Sequence, residues 1–526
     1  MENFRFAPNG IAPDAVPESM PDTFWTVSNN VMSRDGMERA GGVAEMFGTP
    51  LFPPRWLLWT KSTVSPSFWI YCADAGIGGT DGTHTDLTPT AGFVANAGAN
   101  VWTGGNLNGL PVVGNGHIPL WWDQSIATNF QVVPGWPASN RAKAVRPYQF
   151  HLIAMNVDPG TGKFNQDLIL WSTAAVPGAV PSTWVPGPAN EAGSAQLSAT
   201  GGAILDGVAL RSSFVIYKTT SCYTMRYVGG ANVMQVQQLF SDVGLIAANC
   251  AVEKDGFHVV LAEGDIILHD GNTAKSIADG YIRETFLRNL DAQTQGRCFV
   301  VPHTPPGEVW IAFPEPGQTG CTKAAVWDMS RSRWGVRDLA MIRPTHIAQG
   351  VVPYQLGLGG LRWVDQVGTW EEQVRSWDYS GPRTDPYGLL AAGSVDDGAT
   401  AFALVPGLYA LEVPLDTLGL PTRGVLVREA LDFGEPDAVK TVNRCWVKAK
   451  GPVGTRFAVE MGGRLNVGDP VTYGAPVYVT IGGRMDAPIF ANGRYLSLRI
   501  SDASSAILDI WKVTQVTFDY TSKGGF

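Results

Sequence analysis

The sequence predicts an all-β protein, a β-propeller of about six blades with a C-terminal β-sandwich-like domain. Three observations predict it. Helical periodicity is almost absent across the 526 residues, because 61 Gly and 36 Pro interrupt nearly every window. Short apolar runs come in pairs separated by a turn, as consecutive antiparallel strands do. The first members of these pairs fall near positions 70, 112, 152, 215, 259 and 311. Their steps of roughly 40–60 residues match one four-stranded blade.

Residues 1–55 hold many Pro and Asn and no strand pairs, so they read as an extended N-terminal arm with a first strand, wrapping the scaffold or a neighbouring subunit. Residues 56–400 read as the propeller. Its pairs are 68–72 (FWIYC) with 83–87, 149–156 (QFHLIAMN) with 167–172, and 214–218 (FVIYK) with 222–228. Two more are 257–262 (FHVVLA) with 265–269 and 309–313 (VWIAF) with 323–328. One short helix is expected over 279–290 (DGYIRETFLRNL). Trp121-Trp122-Asp123, Trp327-Asp328 and Trp377-Asp378 echo a WD repeat without its Gly-His, so these Trp read as packing between blades. Residues 401–526 contain Gly-bounded runs with period two, such as 440–450, 456–461, 494–500 and 510–520. They suit a separate β-sandwich, with propeller-closing strands as the alternative. The blade count stays open between five and seven, and an N-terminal strand pairing with the last blade would remove an exposed edge.

Charge and composition narrow the function. The 38 Lys and Arg against 47 Asp and Glu give a net charge of −9, which argues against a protein built to grip nucleic-acid phosphates. Only 16% of residues are charged, an unusually low share, while 18 Trp, 22 Phe and 14 Tyr supply large cores. No apolar run is long enough to span a bilayer, and the first residues lack a basic and then apolar leader, so a soluble chain without secretory export is expected. The six Cys lie far apart, with no C-x-x-C pair, and are expected as free buried thiols.

No catalytic motif is found. Gly160-Thr161-Gly162-Lys163 lacks P-loop spacing and a following helix. There is no G-x-S-x-G elbow and no H-E-x-x-H. His151 and His258 lie inside apolar strands, where hydrogen-bonded structural roles are expected. Glu371-Glu372, between Trp370 and Trp377, is the most suggestive acidic pair for a glycosidase, but adjacent residues on a strand face opposite ways. Asp74, Asp81 and Asp86 border a Gly-rich turn without calcium-loop spacing. The chain is therefore expected not to be an enzyme, and no catalytic, cofactor-binding or metal-ligating residue and no cofactor is assigned. A carbohydrate-binding or glycoside-cleaving propeller is the alternative.

Several phrases resemble a family. They are Asn29-Asn30-Val31, Arg34-Asp35-Gly36-Met37 and Arg39-Ala40-Gly41-Gly42, then residues 67–71 before Asp81-Gly82 and 86–89. Residues 102–109 (WTGGNLNG) with Pro119 and Trp122-Asp123 follow, then Trp171-Ser172 with Pro177-Gly178, Pro181-Ser182 and Thr183-Trp184. Ile216-Tyr217-Lys218 with Met225 and residues 227–230, and more faintly residues 493–496 and Trp511, complete the likeness. Together they resemble the tail nozzle or hub proteins, tail tubular protein B-like, of short-tailed bacteriophages. The resemblance implies a virion tail protein, assembled in the host cytoplasm as a homo-oligomeric ring, usually a hexamer, below the portal–adaptor complex. It implies genomic DNA held in and ejected through the ring without sequence-specific binding, and tail fibres or spikes docked on its side. It carries over no catalytic residue. The better known nozzle is longer and has inserted domains, which leaves open whether this chain closes a tail tip itself.

Overall fold

The computed structural model describes residues 2–63, 68–96, 100–230, 232–288, 290, 293–352, 387–396, 404–413, 423–503 and 510–525. Its centre is a β-propeller of seven four-stranded antiparallel blades, six of them separate sheets and the sixth in chain order part of a larger, eleven-stranded sheet. Six are continuous in sequence, and their innermost strands are Pro54–Thr60, Thr103–Leu107, Arg141–Tyr148, Ile204–Leu210, Ala251–Lys254 and Phe299–His303. The seventh starts with His346–Val351 and adds Tyr387–Asp396 and Leu404–Val413. Its fourth, outer strand is Gly42–Met46, paired through Ala44 with Ala410. Each innermost strand packs against the next, and His346–Val351 returns to Pro54–Thr60, so the circle closes.

The count is seven, against about six from the sequence. The missing blade is the split one: a long connection separates its first two strands, and its fourth comes from the N-terminus. For the same reason the propeller runs past position 400 to Val413, and the stretch 1–55 is not an extended arm. Residues 2–39 supply strands Glu2–Phe6, Val27–Asn29, Val31–Ser33 and Met37–Arg39, all paired.

These four strands complete a second unit, a β-sandwich, with the chain from 425 onward. One sheet orders Val27–Asn29, Val425–Leu431, Tyr495–Asp502 and Arg456–Arg464. The other centres on Lys512–Gly525, flanked by Ala438–Lys450 on one side and by Glu2–Phe6 and Met37–Arg39 on the other. Alternation along these strands sends Val447, Val459, Leu498, Ile500 and Phe518 into a common core around Trp511. The second sheet continues into the sixth blade through Val31 paired with Val336.

A buried charge network reinforces that junction. Arg34 forks onto Glu308 of the sixth blade (Nη2 to Oε2 2.9 Å) and donates to Glu412 of the seventh (2.9 Å). Arg337 donates to Asn30 Oδ1 (2.9 Å) and to the Gly41 carbonyl (2.8 Å). Burial alone would raise the Glu308 carboxyl, but Arg34 and His303 hold it well below the usual carboxylate range.

The Trp-acid dipeptides are packing marks. Trp122 is fully buried against Phe68 of the preceding blade, with ring centroids 5.1 Å apart, and such pairs add about 0.5–1.5 kcal/mol beyond area burial. Asp123 and Asp328 cap the turns that follow, accepting from the Ser125 amide (3.0 Å) and the Ser330 amide (3.0 Å). Trp377-Asp378 lies outside the described residues. The short helix occupies Arg283–Arg288, within the stretch expected to be helical. The six Cys are free and buried.

Candidate functional site

The innermost strands surround an axial space that side chains divide in two. The larger cavity, ≈650 Å³, is walled by Trp56, Trp59, Arg146, Phe214, Ala348 and Tyr387 among others. A smaller one, ≈290 Å³, opens among Arg55, Asp74, Asn100, Trp102 and Arg297. Trp56, Asn249 and His346 line both and form the partition. Gly104 lets the Trp56 ring of the first blade come close: a Cβ there would lie 3.2 Å from Trp56 Cη2.

One polar network fixes the partition. Arg146, on the inner strand of the third blade, donates to Asp206 of the fourth through Nε (2.8 Å) and Nη2 (2.6 Å). It also donates to the Gly104 carbonyl of the second blade (2.7 Å) and to Asn249 Oδ1 (2.6 Å). Asn249 returns its amide to Asp206 (2.9 Å) and its side-chain NH₂ to the Trp102 carbonyl (3.0 Å). The bidentate geometry and burial put this ion pair in the class whose removal leaves a costly unpaired charge.

His346 stands opposite. Its Nδ1 accepts the Leu57 amide at 3.2 Å, and its ring lies between Trp56 (5.5 Å) and Phe299 (5.4 Å). Burial, with the Arg146 charge nearby, pushes its pKa down to about 3, so the ring is neutral at ordinary pH. Among the described residues, the larger cavity's lining holds no carboxylate, since Asp206 sits behind Arg146. The site offers hydrogen-bond donors and aromatic walls, the makings of a binding pocket.

The residues flagged in the sequence lie elsewhere. Gly160–Lys163 is a surface turn whose Thr161 and Gly162 amides both point at Asp158 Oδ1 (2.9 and 3.1 Å). Asp74 pairs with Arg55 (3.1 Å), and Asp86 accepts from the Thr88 amide (2.8 Å). Asp74, Asp81 and Asp86 do not form a metal cluster, and none occurs among the described residues. Trp184 is buried against Trp136, and Trp121 is partly covered. Glu371, Glu372 and Trp370 lie outside the described residues. His151 donates from Nδ1 to the Ser172 carbonyl (2.9 Å). His258 joins His269 around the Tyr217 hydroxyl, each nitrogen 2.6 Å from it, between the fourth and fifth blades.

Sequence reasoning passed over Arg146, Asp206, Asn249 and His346. A signal was present in part: Asp206 is the one charge in the strand ILDGVAL, whereas Arg146 shares RAKAVRPY with Arg141 and Lys143. Such residues are almost never fully buried without a partner.

No family model and no curated protein matches the chain. Among solved structures, the extracellular domain of a one component system from B. thetaiotaomicron superposes with a TM-score of 0.41 at 6% identity, covering 90% of this chain and 63% of that one. An extracellular domain described as part of a hybrid two component system from the same organism gives a TM-score of 0.39 at 8% identity, with the same coverage. The chain thus spans less than two thirds of the length of either.

Proposed function

We propose that this chain is a structural virion protein, a subunit of the ring-shaped tail nozzle or hub of a short-tailed bacteriophage, without catalytic activity. The ring, six copies in this reading, sits below the portal–adaptor complex. It holds the genome and passes it at ejection without sequence-specific contacts, and carries tail fibres or spikes on its side.

One observation above all supports assembly through the rim. Five of the seven blades end in outer strands that are short or covered: His84–Asp86, Gln131–Val132, Gly193–Gln196 and Ala274–Ser276 have two to four residues, and Arg333–Asp338 is continued by Val31; the closing strand Gly42–Met46 has five residues and carries the exposed, charged Glu45. The outer strand of the fourth, Met234–Phe240 (MQVQQLF), is seven residues long, carries no charge and no Pro, and among the described residues has no partner on its outer side. Soluble proteins ordinarily blunt such an edge, so an open one invites a strand from a neighbour. The stoppered axis agrees with a conduit formed between copies rather than through one propeller. The net charge of −9 agrees with a lumen that does not hold phosphates. Among the described residues no helix is long and apolar enough to cross a membrane.

The deciding experiment is the native mass of the full chain in dilute buffer, alone and with a portal–adaptor complex. A ring, whether spontaneous or formed on that template, is the expected result. A monomer that never associates overturns the proposal, and a predominantly positive lumen potential in an assembled ring overturns the DNA-passage part.

A further inference from the structure

The larger axial cavity carries an inference that goes beyond assembly. We propose that it is a binding site for a small organic anion with a planar apolar body, its acidic head held by Arg146 and His346.

The hydrogen bonding of His346 sets its polarity. The Leu57 amide donates to Nδ1, so the neutral ring carries its proton on Nε2. Among the described residues nothing accepts that proton, and His346 lines the cavity. The imidazole is clamped by Trp56 and Phe299, which fixes the direction of the donor.

Arg146 supplies the second donor. Its ion pair is asymmetric: the Arg146 side chain is 17% exposed while that of Asp206 is 1% exposed, so the positive end meets the cavity and the negative end is sealed behind it. Nη1 spends one of its two protons on the Gly104 carbonyl, and the other has no acceptor among the described residues. An anionic head would therefore find two fixed donors and no carboxylate to repel it. A cation of the same shape would face the guanidinium.

The walls suit the remainder of such a molecule. Trp59 and Tyr387 meet edge to face at 5.7 Å, and Phe214 and Val208 lie across from them. The volume of ≈650 Å³ falls within the roughly 300–1,000 Å³ of small-molecule pockets.

The test compares two probes with one indole body and opposite charge, indole-3-acetate and tryptamine, titrated calorimetrically into the full chain at pH 7.5. Indole-3-acetate is expected to bind saturably, one per chain, and tryptamine at least about tenfold more weakly. Ala348→Phe, which fills the cavity from the seventh blade, is expected to lower indole-3-acetate affinity at least about tenfold. Val208→Phe does the same from the fourth blade and serves if the first variant does not fold. Absence of indole-3-acetate binding up to about 10 mM, equal binding of both probes, or unchanged binding in a folded filled variant each overturns the proposal. Native mass is read separately, so none of these outcomes bears on ring assembly.

Discussion

Lowering the pH from 7.5 to 5 should weaken this protein through two histidines that touch no surface. His258 and His269 are 0% and 1% exposed and share the Tyr217 hydroxyl. Burial pushes the His258 pKa down to about 4, and burial together with the neighbouring His258 pushes His269 to about 3. An unfolded histidine titrates near 6.5, so at pH 5 the unfolded chain binds both protons and the folded chain binds neither. Because the folded values lie below the unfolded one, stability is complete above pH 6.5 and is lost as pH falls towards the folded values. Each histidine then costs about 2 kcal/mol at pH 5 relative to pH 7.5, about 4 kcal/mol for the pair. His346 adds a loss of the same sign. The assay is denaturant unfolding followed by Trp fluorescence at half-unit pH steps, extrapolated to water. A stability at pH 5 within about 1 kcal/mol of that at pH 7.5 would refute the argument, since it would mean that the folded state charges these rings as readily as water does.

Other expectations follow from the junction, the closure and the rim. Arg34→Ala strips the partner from buried Glu308 and Glu412, and should cost on the order of 3–5 kcal/mol in the same denaturant assay. Both carboxyls are held below their ordinary values, so their contribution is present above about pH 4.5 and vanishes as pH falls further, giving wild type a second acid transition that the variant lacks. Ala44→Asp places a carboxylate in the packed face of the closing strand, where Ala44 is 1% exposed, and a loss of about 2 kcal/mol or more is expected, read as a lowered Tm. Gln237→Lys places a charge on the open outer edge; it should leave Tm within about 1 °C and prevent ring formation, and rings of wild-type mass from this variant would count against assembly through that strand.

How far the sequence reached can be seen strand by strand. Residues 151–158 with 165–171, 213–218 with 222–227, 257–262 with 265–269 and 308–313 with 323–328 form the pairs their apolar runs suggest. Local alternation and a tight turn suffice there, because both partners are neighbours in the chain. Residues 68–72 were matched with 83–87, whereas the true partner is Ile77–Thr80, whose IGGT has little apolar character; Gly78 and Gly79 are there because the Tyr71 and Phe68 rings occupy the space. The seventh blade and the sandwich edge were illegible for a different reason. Gly42–Met46 and Glu2–Phe6 pair with strands near the opposite end of the chain, and no local periodicity records a partner that distant. The axial site was hidden likewise, since Arg146, Asp206, Asn249 and His346 meet only when four blades have been placed around one axis.

The strand Gly42–Met46 has a kinetic consequence. Ala44 finds its place only beside Ala410, and Phe4 only beside Phe518, each far downstream in the chain. The circle cannot close before Ala410 is made, nor the sandwich before Phe518, and the early blades must wait with an open end. Contacts of such long sequence separation are slow to form, because the loop between them must be closed before any pairing compensates for it. Once made, however, they staple the two ends of the chain together. Unfolding then has to break a sheet, and the completed fold should unfold slowly for the same reason that it folds late.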